Sequence, residues 1–237
     1  MTDGTLAERL SIDGVALVRA ALSEAGLAAL WSMLEPETAV GAVRSGEREA
    51  YGARGLLLSR PRLGETLAEL SLDRIAAEVL GVPGFAIDAM FFDKHGDVNW
   101  AVPAHQDVVV PVPVGAGADA ARHIRCRHGV RYGEPAALVL QELVALRVHF
   151  DDALASNGGL SLATGSHVRG RLSDAEIRQL PHQAYRPYDC RTGDVLLMRP
   201  LVVHRSPRSL GATHRRVLHV LYAPRDGWHD RFATHAR

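Results

Sequence analysis

The spacing of apolar residues predicts helices in the first third of the chain. Apolar residues recur at helical spacing in two stretches: Leu27, Leu30, Trp31 and Leu34, then Leu72, Ile75, Ala76 and Val79. Ser23 precedes the first stretch as an N-cap, and Gly81 follows the second as a stop signal. Each helix offers one apolar face, so both are expected to pack on the outside of a core.

Apolar and β-branched runs beyond residue 84 predict the strands of that core. They lie at 85–92, 104–110, 143–150, 160–163, 195–203 and 215–222. Asn157-Gly158 is a hairpin signal between two of these runs, and Ser173 with Glu176 predicts a capping box at the start of a short helix. We therefore expect a mainly β fold with flanking helices.

Residues 111–135 break the strand pattern. A stretch rich in glycine and alanine, 115–120, is followed by arginine and histidine residues between 122 and 131. A long insertion between core strands is commonly a lid or a binding loop, whereas a charged run is also typical of a solvated loop. We predict a mobile, lid-like insertion, with the solvated loop as the alternative.

The composition of the whole chain narrows the class of protein. Its 237 residues include 27 Lys+Arg and 27 Asp+Glu, so we expect one domain over 1–237 and no binding of nucleic acid or of an anionic membrane surface. The two cysteines, Cys126 and Cys190, lack metal-ligand spacing and are expected to be free thiols. Without a leader or membrane span in the sequence, we expect a cytoplasmic protein, monomeric or homodimeric, that acts on a small molecule.

The predicted strand at 104–110 carries candidate metal ligands. Strand alternation places the side chains of His105 and Asp107 on one face, and a further histidine, His204, ends the run at 195–203. Two histidines and one carboxylate are the ligand set that holds non-haem Fe(II) and leaves coordination positions open for oxygen and substrates.

Two other His-x-Asp motifs have the same spacing, so spacing alone does not choose among the three. The motif at 95–97 has a central glycine and lies in a turn-like stretch, which favours a solvated loop. The motif at 149–151 closes a strand and runs into turn residues, which favours a role as a strand-end cap. Context therefore favours the motif at 105–107.

The order of the short motifs along the chain resembles one known family. They are Phe-Asp-Lys (92–94), Asn-Trp (99–100), Val-Pro-Ala-His-Gln-Asp (102–107), Leu-Arg-Val-His-Phe-Asp-Asp (146–152), Asn-Gly-Gly-Leu (157–160), Thr-Gly-Ser-His (164–167), Gly-Asp (193–194), His-Arg-Ser (204–206) and Arg-Arg-Val-Leu-His (215–219). The set is similar to the phytanoyl-CoA dioxygenase family of Fe(II)/2-oxoglutarate-dependent oxygenases. The resemblance implies a double-stranded β-helix, the jelly-roll core of cupin-like proteins. It also implies iron held by His105, Asp107 and His204, with O2 and 2-oxoglutarate as cosubstrates.

The resemblance further implies an arginine on the last core strand that binds the far carboxylate of 2-oxoglutarate, with help from Ser206. Arg215 and Arg216 both follow His204 at a suitable distance, and a guanidinium suits the task because it is planar and always charged. Along a regular strand only one of the two can face the interior of the barrel. Its offset from the aromatic Tyr222 favours Arg215.

Five more residues are candidate contacts of the bound molecules. Lys94 and Asn99 can donate hydrogen bonds to a dicarboxylate cosubstrate, although a lysine after a strand is often a solvated strand end. Arg54 matches a family arginine and is a candidate substrate contact, with a surface arginine as the alternative. Trp100 is expected to form a wall of the pocket, and Gln106, between two ligands, is a further candidate substrate contact.

The reaction that the resemblance implies is hydroxylation of an unactivated C–H bond, with release of succinate and CO2. Asp107 is present where related halogenases carry a small residue, so halogenation is not expected. Desaturation and ring formation use the same oxidant and stay open, as does the substrate: amino-acid-like, acyl or natural product. The alternatives from other classes are a non-redox jelly-roll metal protein, such as a lyase or isomerase, and a catalytically inactive small-molecule binding domain.

Overall fold

Two antiparallel sheets form the framework of the molecule. The computed structural model describes residues 4–34, 42–44, 50–95, 100–127, 129–209 and 214–234. The large sheet contains, in spatial order, β1 (Val15–Val18), β12 (Val195–Met198), β9 (Val144–His149), β14 (Arg215–Pro224), β4 (Gly84–Lys94), β3 (Ala50–Ala53) and β2 (Ala42–Arg44). The small sheet contains β11 (Tyr185–Pro187), β10 (Ser161–Ala163), β13 (Val203–Ser206) and β5 (Val102–His105). The mainly β prediction is confirmed.

Short helices connect and flank these strands. They are α1 (Leu6–Asp13), α2 (Glu24–Leu34), α3 (Leu56–Ser59), α4 (Leu63–Glu69), α5 (Leu72–Leu80), α6 (Ala137–Gln141), α7 (Asp174–Gln179) and α8 (Trp228–Thr234). Ser23 caps α2 by accepting a hydrogen bond from the backbone N–H of Gly26, and Ser173 forms the predicted capping box with Glu176. Gly81 ends α5 with a left-handed φ of 72°, as expected of a stop signal. Among the described residues, no helix is both long and apolar enough to cross a membrane.

The outer face of the large sheet is covered by helices. Ala89 and Phe91 of β4, and Leu218 and Tyr222 of β14, belong to one buried apolar cluster with the leucines of α1, α2, α4 and α5. Trp31 of α2 meets Phe91 edge to face, with ring centroids 5.7 Å apart. Because side chains alternate along a strand, the intervening residues of β4 and β14 face the opposite side, towards the small sheet. That inner side holds the candidate site.

The proline within the predicted run at 195–203 marks a change of sheet. β12 ends at Met198, and a turn closed by a hydrogen bond from the backbone N–H of Val202 to the carbonyl oxygen of Arg199 (3.0 Å) leads into β13. β12 pairs with β9 in the large sheet, whereas β13 pairs with β5 and β10 in the small sheet. His204 on β13 therefore lies across from the large sheet.

The hairpin predicted at Asn157-Gly158 is wrong. The Asn157 side chain closes a local turn instead, donating to the carbonyl oxygen of Asp152 (2.7 Å) and accepting from the backbone N–H of Leu154 (2.7 Å). Gly158 follows with a left-handed φ of 81°, and the next strand, β10, pairs with β11 and β13 but not with β9. The asparagine amide thus provides hydrogen-bond partners for the backbone of a loop that crosses from one sheet to the other.

The segment at 111–135 contains regular strands that the sequence pattern did not predict. β7 (Arg122–Arg127) and β8 (Val130–Glu134) form an antiparallel pair, and β8 also pairs with β6 (Val110–Pro111). Most side chains of β7 are exposed, whereas every residue of β9 is buried. The lid-like role of this segment stays a prediction.

We expect hydrogen exchange to be faster in β7 than in β9, because β7 has few buried side chains to oppose local opening. In a lid, the exchange of β7 should slow when Mn(II) and 2-oxoglutarate are added, whereas that of β9 should not change. Exchange measured by mass spectrometry checks both points. Equal protection of β7 and β9 in the free protein would contradict the lid.

Candidate active site

The pairing of β5 with β13 brings two histidines face to face. His105 and His204 are opposite each other in this antiparallel pair, and the centroids of their rings are 4.2 Å apart. Asp107 follows β5, and its backbone N–H donates to the carbonyl oxygen of Pro200 (2.9 Å). That bond ties the residue to the turn before β13, so the carboxylate lies beside both rings.

The donor atoms of these three residues converge on one point. Nδ1 of His105 lies 2.8 Å from the carbonyl oxygen of Pro103, and Nδ1 of His204 lies 3.1 Å from that of Val202. Since a carbonyl oxygen only accepts, each Nδ1 carries a hydrogen, and Nε2 is the ring nitrogen that can bind a metal once it is deprotonated. The two Nε2 atoms lie 3.5 and 3.7 Å from the oxygens of Asp107, and the ligand atoms all lie within 4.8 Å of one another. This donor set fits a divalent transition metal with open coordination positions.

The electrostatics of the group suit metal binding. Burial alone would raise the pKa of Asp107, but the neighbouring His204 and the hydrogen bond from His105 hold it below its usual range. Burial lowers the pKa of His204 to about 4, so this imidazole is neutral near pH 7. Burial also lowers the pKa of His105, but its hydrogen bond with Asp107 outweighs that effect and the net shift is upward. A bound metal would displace the proton that this pair shares.

The other two His-x-Asp motifs lie in different surroundings. Asp151 accepts two hydrogen bonds from the guanidinium of Arg216, both 2.7 Å long. Asp97 lies outside the described residues, but His95 belongs to a second group with metal-ligand spacing, Asp93, His95 and His214. In that group both oxygens of Asp93 lie within 3.0 Å of Nδ1 of His214, and none of the three residues lines the cavity at His105 and Asp107.

A cavity of about 390 Å³ opens beside the His-Asp-His group. Three buried cationic side chains line it: Lys94, Arg147 and Arg215, which are 1%, 7% and 3% exposed. Nζ of Lys94 donates to Oγ of Ser206 (2.7 Å), and Nη1 of Arg147 lies 3.0 Å from Nδ1 of His219. We call the part of the cavity around Lys94, Arg147, Ser206 and Arg215 the cationic pocket.

No carboxylate among the described residues pairs with a cation of the cationic pocket. Within the described ranges, none of its three cations forms an ion pair with a carboxylate, and the buried Nε atoms of Arg147 and Arg215 have no hydrogen-bond partner. Burial, with the charges of the two arginines, lowers the pKa of Lys94 to about 7. Burial and Arg147 lower the pKa of Arg215 to about 10. A bound carboxylate would relieve this repulsion, so the residues fit an anionic cosubstrate.

Strand register accounts for which arginine enters the pocket. Arg215 is opposite Lys94 in the β14–β4 pair, and both face inward. Arg216 faces outward, where it pairs with Asp151 and lies over the ring of Trp31, 4.9 Å from the centroid. The two side chains thus point to opposite faces of β14, as strand alternation predicts.

The remaining candidate contacts have different surroundings. Trp100 lines the cavity, with Nζ of Lys94 5.1 Å from its ring centroid. Arg54 lines it too, and its Nη1 lies 2.9 Å from Sδ of Met90. Asn99 lies outside the described residues. Gln106 lines a second cavity beside the ligand group, and its amide donates to the carbonyl oxygens of Gly170 (2.9 Å) and Leu201 (2.7 Å) and accepts from the backbone N–H of Leu172 (2.8 Å).

These bonds join the turn before β13 to the chain at 170–172, and the role of Gln106 as a substrate contact stays a prediction. Arg147 and His219 also line the cavity, although neither was predicted from the sequence as part of the site. Each is a polar residue within an otherwise apolar strand, and that contrast was the available signal. Their mutual contact follows from register, since they are opposite each other in the β14–β9 pair.

A second cavity, of about 240 Å³, adjoins the ligand group and shares Arg54, Met90, His105 and Asp107 with the first. Its distinctive residue is Asp88 on β4, which is 6% exposed. Oδ1 of Asp88 accepts from the hydroxyl of Tyr132 (3.1 Å) and from the backbone N–H of Ala89 (2.9 Å). Burial raises the pKa of Asp88 to about 6. We call this space the Asp88 cavity.

Two opposed antiparallel sheets with a His-Asp-His group between them are typical of metal-dependent enzymes of the cupin fold. The family model for phytanoyl-CoA dioxygenase (PhyH) matches residues 11–217, and the chain belongs to this family. The predicted jelly-roll, cupin-like fold class is thereby confirmed. A search of curated protein sequences found no match.

Solved structures of several enzymes share the fold. The 2-oxoglutarate-dependent carbocyclase SnoK from nogalamycin biosynthesis is 18% identical, with a TM-score of 0.68 over 92% of this chain and 83% of SnoK. AviO1 from Streptomyces viridochromogenes Tue57 is 22% identical, with a TM-score of 0.65 over 93% of this chain and 94% of its own. EctD from S. alaskensis, crystallised with 2-oxoglutarate and 5-hydroxyectoine, is 16% identical, with a TM-score of 0.69 over 92% and 74%.

The relatives also include enzymes with bound metal. EctD has been crystallised with Fe, and the epimerase SnoN with Fe3+, α-ketoglutarate and nogalamycin RO. Membership of the PhyH family and the His-Asp-His group support an iron- and 2-oxoglutarate-dependent, oxygenase-type activity.

We expect Asp107→Ala to lower the iron content of the protein by orders of magnitude, because a three-residue site has no substitute for its charged ligand. Metal analysis after anaerobic loading with Fe(II) measures this. Asp151→Asn is the matched control from another His-x-Asp motif and should keep the iron. If Asp93→Asn removed the iron and Asp107→Ala did not, the metal ligands would be Asp93, His95 and His214.

Proposed function

We propose that this protein is an Fe(II)- and 2-oxoglutarate-dependent dioxygenase that hydroxylates an unactivated C–H bond of a small molecule and releases succinate and CO2. One observation carries the proposal: the convergent His-Asp-His group and the uncompensated cationic pocket line the same cavity. A metal with open positions next to a buried site for a carboxylate is what a chelating 2-oxo acid requires.

In this proposal His105, Asp107 and His204 hold the iron. Their Nδ1 hydrogens are bound to carbonyl oxygens, so the rings are fixed in the tautomer that presents Nε2 to the metal. Iron together with 2-oxoglutarate and O2 supplies the oxidant. The protein residues keep the ligands aligned and shield the reacting groups from bulk water.

The cationic pocket would bind the far carboxylate of 2-oxoglutarate. Arg215 offers a planar pair of donors, and its Nε has no partner among the described residues. Lys94 adds a second charge, and Ser206, which donates to the carbonyl oxygen of Gly158 (2.7 Å), holds the lysine in place. Trp100 forms the wall beside Lys94. Asn99 stays a proposed contact.

Hydroxylation is the proposed outcome, and halogenation is disfavoured because Asp107 fills the position that a halide would need. SnoK and SnoN are described as a carbocyclase and an epimerase, so the fold by itself does not select the outcome. The mass of the product decides: hydroxylation adds one oxygen atom, whereas ring formation, desaturation or epimerisation does not.

The direct test incubates the purified protein with Fe(II), 2-oxoglutarate, O2 and a panel of small molecules, and measures succinate and product mass. Succinate should form only when iron and 2-oxoglutarate are both present, and a true substrate should accelerate it. A non-redox lyase or isomerase would convert a substrate without forming succinate. An inactive binding domain would bind a small molecule and convert nothing.

We expect Arg215→Ala to weaken 2-oxoglutarate binding steeply and to leave iron content unchanged. Removing one side of a buried charge-assisted pair costs about 3–5 kcal/mol, which corresponds to at least a hundredfold in Kd. Calorimetric titration of the Mn(II)-loaded protein with 2-oxoglutarate measures the change.

Arg216→Gln is the matched control for Arg215→Ala. Its side chain lies outside the cavity, so 2-oxoglutarate affinity should hold even though the pair with Asp151 is lost and stability falls. Normal 2-oxoglutarate binding in Arg215→Ala would remove the main support for this cosubstrate.

A further inference from the structure

We propose that the Asp88 cavity is the substrate site and that it selects a small zwitterion, such as a free amino acid, whose ammonium group binds Asp88. The inference rests on the proposed function and names its substrate class. It is argued from the position of Asp88, from the unused acceptor of its carboxylate, and from the two guanidinium groups in the same cavity.

The position of Asp88 suits a substrate contact. Asp88, Met90 and Lys94 lie on the inner face of β4, and each lines a cavity next to the ligand group. Six residues of extended strand span about 20 Å, so Asp88 and Lys94 are at opposite ends of the site. A cosubstrate held at Lys94 and a substrate held at Asp88 would therefore reach the metal from two sides without overlap.

The carboxylate of Asp88 has an unused acceptor. Oδ1 is bound by the hydroxyl of Tyr132 and the backbone N–H of Ala89, whereas Oδ2 has no donor in the described portion of the chain. No cationic side chain among those residues forms an ion pair with it, although Arg54 lies close enough to lower its pKa. A buried carboxylate with an unpaired oxygen is stabilised by a charged hydrogen-bond donor from a ligand. An ammonium group is such a donor.

The other charges of the cavity favour a zwitterion over a simple cation. Arg54 and Arg127 both line it, and within the described ranges neither forms an ion pair with a carboxylate. A ligand with only positive charge would face these guanidiniums, and a ligand with only negative charge would face Asp88. A ligand with an ammonium and a carboxylate group complements both.

The size and the remaining walls agree with a small metabolite. The volume of about 240 Å³ is below the usual range for drug-sized ligands. Met90, Val108 and Val109 supply apolar surface for a short carbon chain. Tyr132 is a positioning residue: it belongs to β8 of the insertion and fixes Asp88 through its hydroxyl.

The experiment measures binding of free amino acids to the protein loaded with Mn(II) and 2-oxoglutarate, by thermal shift and then by calorimetry. For the best ligand, the N-acetyl and methyl-ester derivatives are measured too. We expect at least one amino acid to bind and N-acetylation to weaken it by about 30-fold or more, since a buried charge pair is lost. Asp88→Asn should weaken the parent amino acid similarly and leave the affinity for the N-acetyl derivative nearly unchanged.

Asp152→Asn is the matched control, because that carboxylate is an exposed partner of Arg191. It should bind every ligand as the unaltered protein does. Tyr132→Phe keeps the ring and removes the hydroxyl, so it should weaken the amino acid less than Asp88→Asn does.

Two results overturn the inference while sparing the proposed function. One is that no amino acid binds although 2-oxoglutarate binds and succinate forms. The other is that Asp88→Asn and N-acetylation leave amino-acid binding unchanged. Failure of Mn(II)-loaded protein to bind 2-oxoglutarate would instead overturn the proposed function, and with it this inference.

Discussion

The register of strand β14 is the constraint on which the site depends. This strand pairs with β4 on one side and β9 on the other, and its inward residues lie opposite the charged residues of both neighbours. Arg215 thereby meets Lys94, and His219 meets Arg147. A shift of one residue would turn every inward side chain of β14 towards the helices, where Leu218 and Tyr222 now pack. Packing of the apolar outer face therefore determines which polar side chains of β14 face the cavity.

Burying Lys94, Arg147 and Arg215 together is unfavourable by itself, because each loses hydration and repels the other two. The lowered pKa values of Lys94 and Arg215 express this repulsion, which comes on top of burial. The packing of the large sheet offsets the penalty and keeps the pocket open. A dianionic cosubstrate would then gain binding free energy from repulsion that already exists in the free protein, and binding would stabilise the folded chain in turn.

The sequence predicted the features that local pattern determines. Spacing and the order of motifs led to His105, Asp107 and His204, and alternation separated Arg215 from Arg216. What it did not predict depends on pairing between distant segments: nothing local shows that Arg147 is opposite His219, or that Tyr132 reaches Asp88. The strands β7 and β8 were also missed, because an exposed pair of strands lacks alternating apolar residues. The Asn157-Gly158 signal failed because the asparagine amide closes a loop between the two sheets.

The division of charge along β4 bears on how the site could distinguish 2-oxoglutarate from a zwitterionic substrate. Near Lys94 the described charged residues of the cationic pocket, Lys94, Arg147 and Arg215, are all cations, which favours an anionic ligand there. At the other end of β4, the carboxylate of Asp88 lies near Arg54. A 2-oxoglutarate molecule bound there would be repelled by the negative charge of Asp88. Because Tyr132 fixes Asp88 from the insertion, this discrimination depends on how the insertion sits on the barrel. In the proposed substrate site the inserted strands would therefore contribute to selectivity, because the bond from Tyr132 sets the position of the Asp88 carboxylate.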